Sequence, residues 1–131
     1  ISQVDYDRAV VLLQEDFVKK ILAEPGTRDY RAMSAIAQIS SEIRVLMRVG
    51  RGSFSPPPKV NSLLVSVKPM IRPSRAEMSA IKRLFSLRRR QVVSALAELE
   101  IDGAGKDFGK RRVYSLEPGE VHELCSASRD A

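Results

Sequence analysis

The stretch Ser53-Phe54-Ser55-Pro56-Pro57-Pro58-Lys59-Val60-Asn61-Ser62 lies directly before the apolar run Leu63-Leu64-Val65-Ser66-Val67. Proline fixes φ and removes a backbone donor, so the proline run predicts a stiff loop that cannot form a central strand. The apolar run after it predicts a strand. A stiff loop that presents Phe54 beside Lys59 suits stacking of a flat ring near a phosphate. The alternative is a turn whose Phe54 packs into the core, because large apolar side chains are usually buried.

The sequence upstream of this loop predicts a strand, two helices and a second strand. Residues 6–13 end in a short apolar run that is typical of a buried strand. Residues 14–24 and 28–40 carry apolar side chains at helical spacing and are separated by Pro25-Gly26, a helix stop. Residues 42–49 alternate apolar and polar side chains, as a half-buried strand does.

Three further expectations follow from these upstream patterns. The helical spacing places Phe17 and Met33 among the inward-facing side chains. Thr27 or Asp29 is the expected cap of the second helix. Because no crossover helix separates the strand at 42–49 from the next one, the two strands should pair antiparallel.

The composition changes after Pro69, and the rest of the chain predicts helices. Ser74 and Glu77 have the spacing of a capping box at the start of one helix. A glycine-containing loop is expected near residues 101–110, followed by a last short helix from about residue 115. We therefore expect an α/β part at residues 1–69 and a small all-helical domain at residues 70–131.

The charge and composition of the chain limit the classes of partner and site that it is expected to have. The 22 basic and 16 acidic residues give a net charge of +6, which favours a polyanion, nucleic acid first and an anionic membrane surface second. One cysteine, Cys125, and one histidine, His122, exclude an internal disulfide and argue against a zinc site. No apolar run approaches 18 residues and no signal-peptide pattern is visible, so we expect a cytoplasmic protein without a membrane span. The missing initiator Met suggests a piece of a longer protein.

A basic cluster is the strongest charge signal in the chain. Neighbouring residues on a helix are about 100° apart, so three consecutive arginines cannot share one face, and some must meet solvent or a polyanion. Arginine suits phosphate through its forked donors. A solvated face, or cations that complement a helix C-terminus, is the alternative. Phe85 is the one aromatic near this cluster, which gives no support for base stacking there. The candidate RNA-binding residues of the cluster are Lys82, Arg83, Arg88, Arg89 and Arg90, and a weaker cluster follows at Lys110, Arg111 and Arg112.

Other candidate groups carry less information. Glu15 and Asp16 follow the first strand, where carboxylates serve function in some α/β folds and otherwise complement the start of a helix. His122 has no evident titrating partner, so we interpret it as structural or exposed. No G-x-G-x-x-G loop, P-loop or nucleophile arrangement is present.

Four segments together resemble the rRNA adenine dimethyltransferases, the small-subunit dimethyladenosine transferase family. The proline loop is similar to the family's F-x-P-x-P-K-V-[DN]-S signature, which is the most specific of the four. Arg90 stands where the family's F-x-x-R-[RK]-K segment ends in lysine. The matching segments are Leu12-Leu13-Gln14-Glu15-Asp16-Phe17, Ala23-Glu24-Pro25-Gly26 with Tyr30, Phe54 to Ser62, and Phe85-Ser86-Leu87-Arg88-Arg89-Arg90.

The resemblance implies the closing part of a Rossmann-like methyltransferase sheet with an antiparallel last strand, followed by a small helical domain. It implies methyl transfer from S-adenosylmethionine to adenines of small-subunit rRNA, with the pre-ribosomal small subunit as partner. Phe54 would stack on the flipped target base, which must leave its stack to be reached. Lys59 would stiffen the loop or meet a phosphate, and Arg88, Arg89 and Arg90 would hold the rRNA backbone.

The same resemblance implies that this chain is the C-terminal half of the enzyme. The family's cofactor glycine loop and its Asn-Leu-Pro-Tyr catalytic motif lie upstream of the matched region, and neither occurs in this sequence. We therefore expect no cofactor-binding and no metal-binding residue here, no activity of the chain alone, and an exposed edge on its first strand. A non-catalytic rRNA-binding module of ribosome assembly is the alternative function. A DNA-binding helical domain would fit the charge but leaves the proline loop unexplained.

Overall fold

The computed structural model describes residues 7–50, 52, 60–103 and 105–127. Phe54 and Lys59, predicted to contact RNA, lie outside the described residues. The described part is a mixed α/β fold with strands and helices in the predicted order. In chain order the elements are β1 (Ala9–Gln14), α1 (Glu15–Ile21), α2 (Ala32–Ser40), β2 (Ser41–Val49), β3 (Ser62–Pro69), α3 (Arg75–Ser86), α4 (Val92–Leu99), a 3-10 helix (Val113–Ser115) and α5 (Pro118–Ala127).

The three strands form one antiparallel sheet in the order β1-β3-β2. The predicted antiparallel pairing of β2 with β3 is confirmed, with Ile43 opposite Val67 and Val49 opposite Ser62. β3 also pairs antiparallel with β1, so the last strand in sequence is the central strand of the sheet. Within the described residues, the outer edge of β1 has no strand partner.

One face of the sheet is covered and forms a small core. Successive side chains of a strand point to opposite faces, so Leu63 and Val65 lie on the same side of β3. They are buried there against Val18 of α1, and the half-buried Val11 and Leu13 of β1 pack on them. Phe17 is 41% exposed, so the prediction that it faces inward is wrong: neighbouring residues on a helix diverge, and the face of α1 that carries Val18 meets the sheet.

A larger core joins the helices and crosses the expected domain boundary. Tyr30 and Ile39, from the upstream half of the chain, are buried with Ile81, Leu84 and other side chains from the helices that follow residue 70. The rings of Tyr30 and Phe85 meet edge to face with centroids 5.5 Å apart. The division at residues 69 and 70 stays a prediction, and the packing shows that α2 and the turn before it share the larger core with the downstream helices.

Of the two helix caps predicted from the sequence, the structure contains the one at the start of α3 but not the one at the start of α2. The predicted capping box is present, because Glu77 N donates to Ser74 Oγ at 3.0 Å and Ser74 N donates to Glu77 Oε1 at 2.9 Å. The predicted cap of α2 is wrong. α2 begins at Ala32, and Arg31 N donates to Ser34 Oγ at 3.1 Å. Met33 on this helix is 58% exposed, contrary to its predicted inward position.

Candidate nucleic-acid interface

The arginine run lies in a turn between two helices. α3 ends at Ser86 and α4 begins at Val92. Residues 88–92 run antiparallel beside residues 111–114, joined by hydrogen bonds from Tyr114 N to Arg88 O at 3.0 Å and from Val92 N to Arg111 O at 2.8 Å. This ladder brings together two basic clusters that lie more than 20 residues apart in the sequence.

Arg88 is held in place by backbone oxygens and an aromatic ring. Its Nη2 donates to the carbonyl oxygens of Thr27 and Arg28, each at 3.3 Å, and its guanidinium carbon lies 5.7 Å from the centroid of the Tyr114 ring. Its Nε is buried and has no hydrogen-bond partner among the residues that the structure describes. Burial, followed by the charges of Arg31 and Arg89, lowers the pKa of Arg88. An arginine stays charged in proteins despite such a shift, so the turn presents a fixed cation.

A surface cavity of about 490 Å³ opens beside Arg88. Its walls come from the turn between α1 and α2, from the arginine run and from the segment before α5. Among the described residues, its lining contains no carboxylate. The lining residues are Gly26, Thr27, Arg28, Arg88, Arg89, Arg112 and Tyr114.

The turn between α1 and α2 is shaped by Gly26. Its φ of +88° is a left-handed conformation that glycine adopts without a Cβ clash. The turn is tied to the opposite wall of the cavity by a 2.8 Å hydrogen bond from Gly26 N to Tyr114 O. Thr27 contributes a further local bond, since its hydroxyl donates to Glu24 O at 2.7 Å.

The cations of this region divide into paired and acid-free groups. Arg90 forms an ion pair with Glu98, and Arg111 binds both carboxylate oxygens of Glu120, at 2.8 and 2.9 Å. Arg28 has a loose contact with Asp29 at 3.8 Å. In the described part of the chain, the remaining arginines of the cavity meet no carboxylate within ion-pair distance. They are Arg88, Arg89 and Arg112.

The other predicted basic residues lie outside the cavity. Lys82 and Arg83 are exposed on α3, and Arg83 Nη2 donates to Leu99 O at 3.3 Å. A second depression of about 380 Å³ lies on the other side of the arginine run, where Arg31 faces residues 85–90. Phe85 borders this depression but is only 5% exposed, so it supports the core.

Sequence reasoning missed Tyr114 and Arg28. Tyr114 is separated from Arg88 by 26 positions, and no local pattern indicates that the backbone ladder joins them. The weaker basic cluster at residues 110–112 was the one sequence feature that pointed to this segment, because it includes Arg112, two positions before Tyr114. Phe85 is the one aromatic near the arginine run in the sequence, but in the fold the ring of Tyr114 also lies beside it.

The proline loop is flanked by described residues that lie near the start of α1. Its flanking strands are paired at Val49 and Ser62, and Glu15 N, in the first turn of α1, donates to Asn61 O at 3.0 Å. The cavity is lined by the turn that follows the last residue of α1. α1 has seven residues, so its first turn, which Asn61 contacts, and its last residue are roughly 10 Å apart along the axis.

The other candidate groups named from the sequence, Glu15, Asp16 and His122, contact neighbouring side chains or begin a helix. Glu15 Oε2 lies 3.4 Å from Nε of Arg48, and Glu15 and Asp16 form the acidic first turn of α1. His122 does have a titrating partner, because its Nε2 lies 3.4 Å from Glu77 Oε2. Across the described ranges, no group of three or more His, Cys, Asp or Glu side chains could hold a metal ion, and no helix is long and apolar enough to cross a membrane.

Comparison with known proteins gives the same family over most of the chain. Residues 2–117 match the family described as ribosomal RNA adenine dimethylase. A probable ribosomal RNA small subunit methyltransferase A of Pyrococcus furiosus is 35% identical over 92% of this chain and 50% of its own length. A probable dimethyladenosine transferase of Caenorhabditis elegans is 33% identical over 70% of this chain and 30% of its own length.

Solved structures agree at the level of the fold. A dimethyladenosine transferase from Plasmodium falciparum superposes with a TM-score of 0.74 at 18% identity, covering 91% of this chain and 56% of that one. The chain spans about half the length of the curated relatives it matches. From the family match and these relatives, the chain belongs to the ribosomal RNA adenine dimethylase family.

Proposed function

We propose that this chain is the C-terminal, rRNA-binding part of an enzyme that dimethylates adenines of small-subunit rRNA during ribosome biogenesis in the cytoplasm. The observation that carries the proposal is the acid-free arginine cluster of Arg88, Arg89 and Arg112, present in a member of a family of rRNA-modifying enzymes. Arginines without carboxylate partners pair well with phosphates, since the forked guanidinium matches their geometry.

The sheet supports the same assignment. An order of β1-β3-β2, with β3 antiparallel to both neighbours, suits the closing end of a Rossmann-like methyltransferase sheet. The open edge of β1 is then the place where the strands of the remaining half would continue the sheet. The half-length match to the relatives supports this interpretation.

The roles we assign follow the position of each residue. Arg88, Arg89 and Arg112 bind rRNA phosphates at the cavity, and the exposed Lys82 and Arg83 extend the cationic surface along α3. Arg90 contributes after exchanging its partner Glu98 for a phosphate. Phe54 stacks on the flipped target adenine, and Lys59 stiffens that loop or meets a phosphate.

S-adenosylmethionine would supply the methyl groups in the complete enzyme. The residues described here do not fit a site for it, because the acids that follow β1 open α1 and Glu15 already pairs with Arg48. The sequence also lacks the glycine loop and the Asn-Leu-Pro-Tyr motif. We therefore assign this chain RNA binding and base stacking, and no step of cofactor binding.

A non-catalytic role in ribosome assembly is the second candidate. The specific observation in its favour is that this sequence carries the arginine cluster but neither the glycine loop nor the Asn-Leu-Pro-Tyr motif. On that reading the chain binds small-subunit rRNA without transferring a methyl group.

Two measurements test the proposal. The chain should bind a small-subunit rRNA fragment with an affinity that falls steeply as salt rises, and Arg89→Gln should lower the salt slope by about one. Arg75→Gln, at the far end of α3, is the matched charge control. Binding that ignores salt would exclude the arginines as phosphate ligands.

Catalysis is tested in the full-length protein that contains these residues. Phe54→Ala should lower the methylation rate at saturating RNA by at least tenfold while leaving RNA affinity within about twofold, because stacking acts on the flipped base. Equal losses in rate and affinity would argue against stacking, and no methylation by the wild-type protein would favour the assembly role.

A further inference from the structure

We propose that the cavity beside Arg88 holds one complete nucleotide of single-stranded RNA, with its phosphate on the arginines and its base against Tyr114. Its role would differ from the one proposed for Phe54, because this nucleotide would not be the methylated adenine. The inference rests on the proposed function, since it concerns RNA bound by the same surface.

The charge of the cavity favours a phosphate. Arg88, Arg89 and Arg112 all line it and meet no carboxylate within the described residues. Arg112 Nη1 donates to Arg89 O at 2.6 Å, so the Arg112 guanidinium is held beside the backbone of Arg89. The three guanidinium groups repel each other, so a bound anion would reduce the electrostatic repulsion within the folded chain.

Arg88 has a donor that the described part of the chain leaves unused. Two of its contacts go to carbonyl oxygens of the turn, yet its buried Nε has no hydrogen-bond partner there. A buried donor without a partner is costly. An anion in the adjacent cavity would add charge opposite this guanidinium and offset part of the cost.

The cavity also suits a base. Its volume of about 490 Å³ falls within the range of roughly 300–1,000 Å³ that is usual for small-molecule sites. Tyr114 contributes a half-buried ring to the wall, with the Arg88 guanidinium carbon 5.7 Å from its centroid, and aromatic side chains are common stacking partners of nucleobases. A phosphate-only site would have no need of this aromatic wall.

The walls are held in register before any ligand binds. The Gly26 N to Tyr114 O bond joins the turn before α2 to the segment before α5, and the Tyr114 N to Arg88 O bond joins that segment to the arginine run. Both cross between segments far apart in sequence, so the site is a product of the tertiary fold. Such prior ordering favours recognition of one nucleotide over a diffuse attraction to polyanions.

The experiment uses the 131-residue chain and three probes: a short single-stranded RNA, adenosine 5′-monophosphate and inorganic phosphate. Tyr114→Ala should weaken binding of the RNA and the nucleotide by about tenfold and leave inorganic phosphate unchanged. Tyr114→Phe keeps the ring and should bind as the wild type does. Arg89→Gln should weaken all three probes, whereas Arg75→Gln should weaken none.

Each outcome decides the proposal. Unchanged nucleotide and RNA binding in Tyr114→Ala overturns the base contact, and an unchanged affinity for all probes in Arg89→Gln overturns the phosphate contact. Arg89 is exposed, so its replacement tests the site even where Tyr114→Ala fails to fold. Wild-type chain that binds no RNA contradicts the proposed function itself. Binding of acidic peptides or anionic vesicles in preference to RNA would assign the cavity to another partner.

Discussion

The hydroxyl group of Tyr30 donates a 2.7 Å hydrogen bond to the carbonyl oxygen of Leu116, 86 residues further along the chain. Tyr30 is fully buried, and burial, with smaller effects of Glu117 and Glu120, raises its pKa, so the hydroxyl remains a donor. The bond joins the turn before α2 to the segment before α5, and both segments also line the arginine cavity. A single buried contact therefore connects the stability of the fold to the shape of the candidate site.

Tyr30→Phe should lower the free energy of unfolding by roughly 1–2 kcal/mol, because the Leu116 carbonyl loses its donor in a dry environment. Urea denaturation followed by circular dichroism measures the change. Tyr114→Phe is the matched control, since Tyr114 is half-buried, and its change should stay within about 0.5 kcal/mol. Equal effects in the two variants would show that the Tyr30 hydroxyl contributes no specific stability.

The parts of the fold that depend on neighbouring residues were predictable from the sequence. The capping box of Ser74 and Glu77 needs only a spacing of three, and the antiparallel pairing of β2 with β3 follows from a short connection. The family resemblance, confirmed over residues 2–117, rested on motifs of the same local kind.

The parts that depend on distant residues were not predictable. Helical spacing identifies an apolar stripe without showing which side is covered, and Phe17 and Met33 are exposed for that reason. The approach of Tyr114 to Arg88 depends on a backbone ladder between segments more than 20 residues apart. A single sequence carries no signal for such pairing, so the aromatic wall of the site was missed.

Stability should fall as the pH is lowered from about 4.5 toward 2, through the carboxyl group of Glu77. Hydrogen bonds, first from the Ser74 backbone and then from Ser126, lower the pKa of Glu77 from 4.5 to about 2. Above pH 4.5 the carboxylate is charged in both states and these bonds stabilise the fold. Below it the unfolded chain takes up the proton first, so up to about 3 kcal/mol is lost by pH 2.

Denaturation midpoints measured between pH 2 and 6 test this dependence on Glu77. Glu77→Gln should be less stable at pH 6 and should show a shallower loss on acidification. Glu98→Gln provides a control on an exposed carboxylate. An equally steep loss in Glu77→Gln would move the acid sensitivity to other groups.

Gly26→Ala should destabilise the chain and weaken RNA binding together. The φ of +88° at this position is unfavourable for a residue with a Cβ, and the strain costs roughly 1–2 kcal/mol although the space around it is open. Relief of the strain would move the turn that supplies Thr27 and Arg28 to the cavity. Gly50→Ala is the control, because Gly50 has no positive φ and an added Cβ meets nothing within 4 Å. Thermal unfolding and RNA titration of both variants measure the effects, and a Gly26→Ala chain with wild-type affinity would show that the turn does not shape the site.

The isolated chain should self-associate through the open face and edge of its sheet. Leu12, Leu64 and Met47 are partners in register across β1, β3 and β2, and therefore form one row on the face opposite Val18. Leu12 is 45% and Met47 55% exposed, and the edge of β1 has no strand partner within the described residues. Apolar rows beside an unpaired edge promote pairing between chains.

Sedimentation velocity over a range of protein concentrations measures this association. Leu12→Lys should shift the chain toward monomer, because a charge in the row opposes contact between two copies. Val93→Lys replaces another exposed apolar residue, on α4, and should leave the association unchanged. A wild-type chain that stays monomeric at every concentration would show that the open sheet needs no partner. Association unaffected by Leu12→Lys would place the contact elsewhere on the chain.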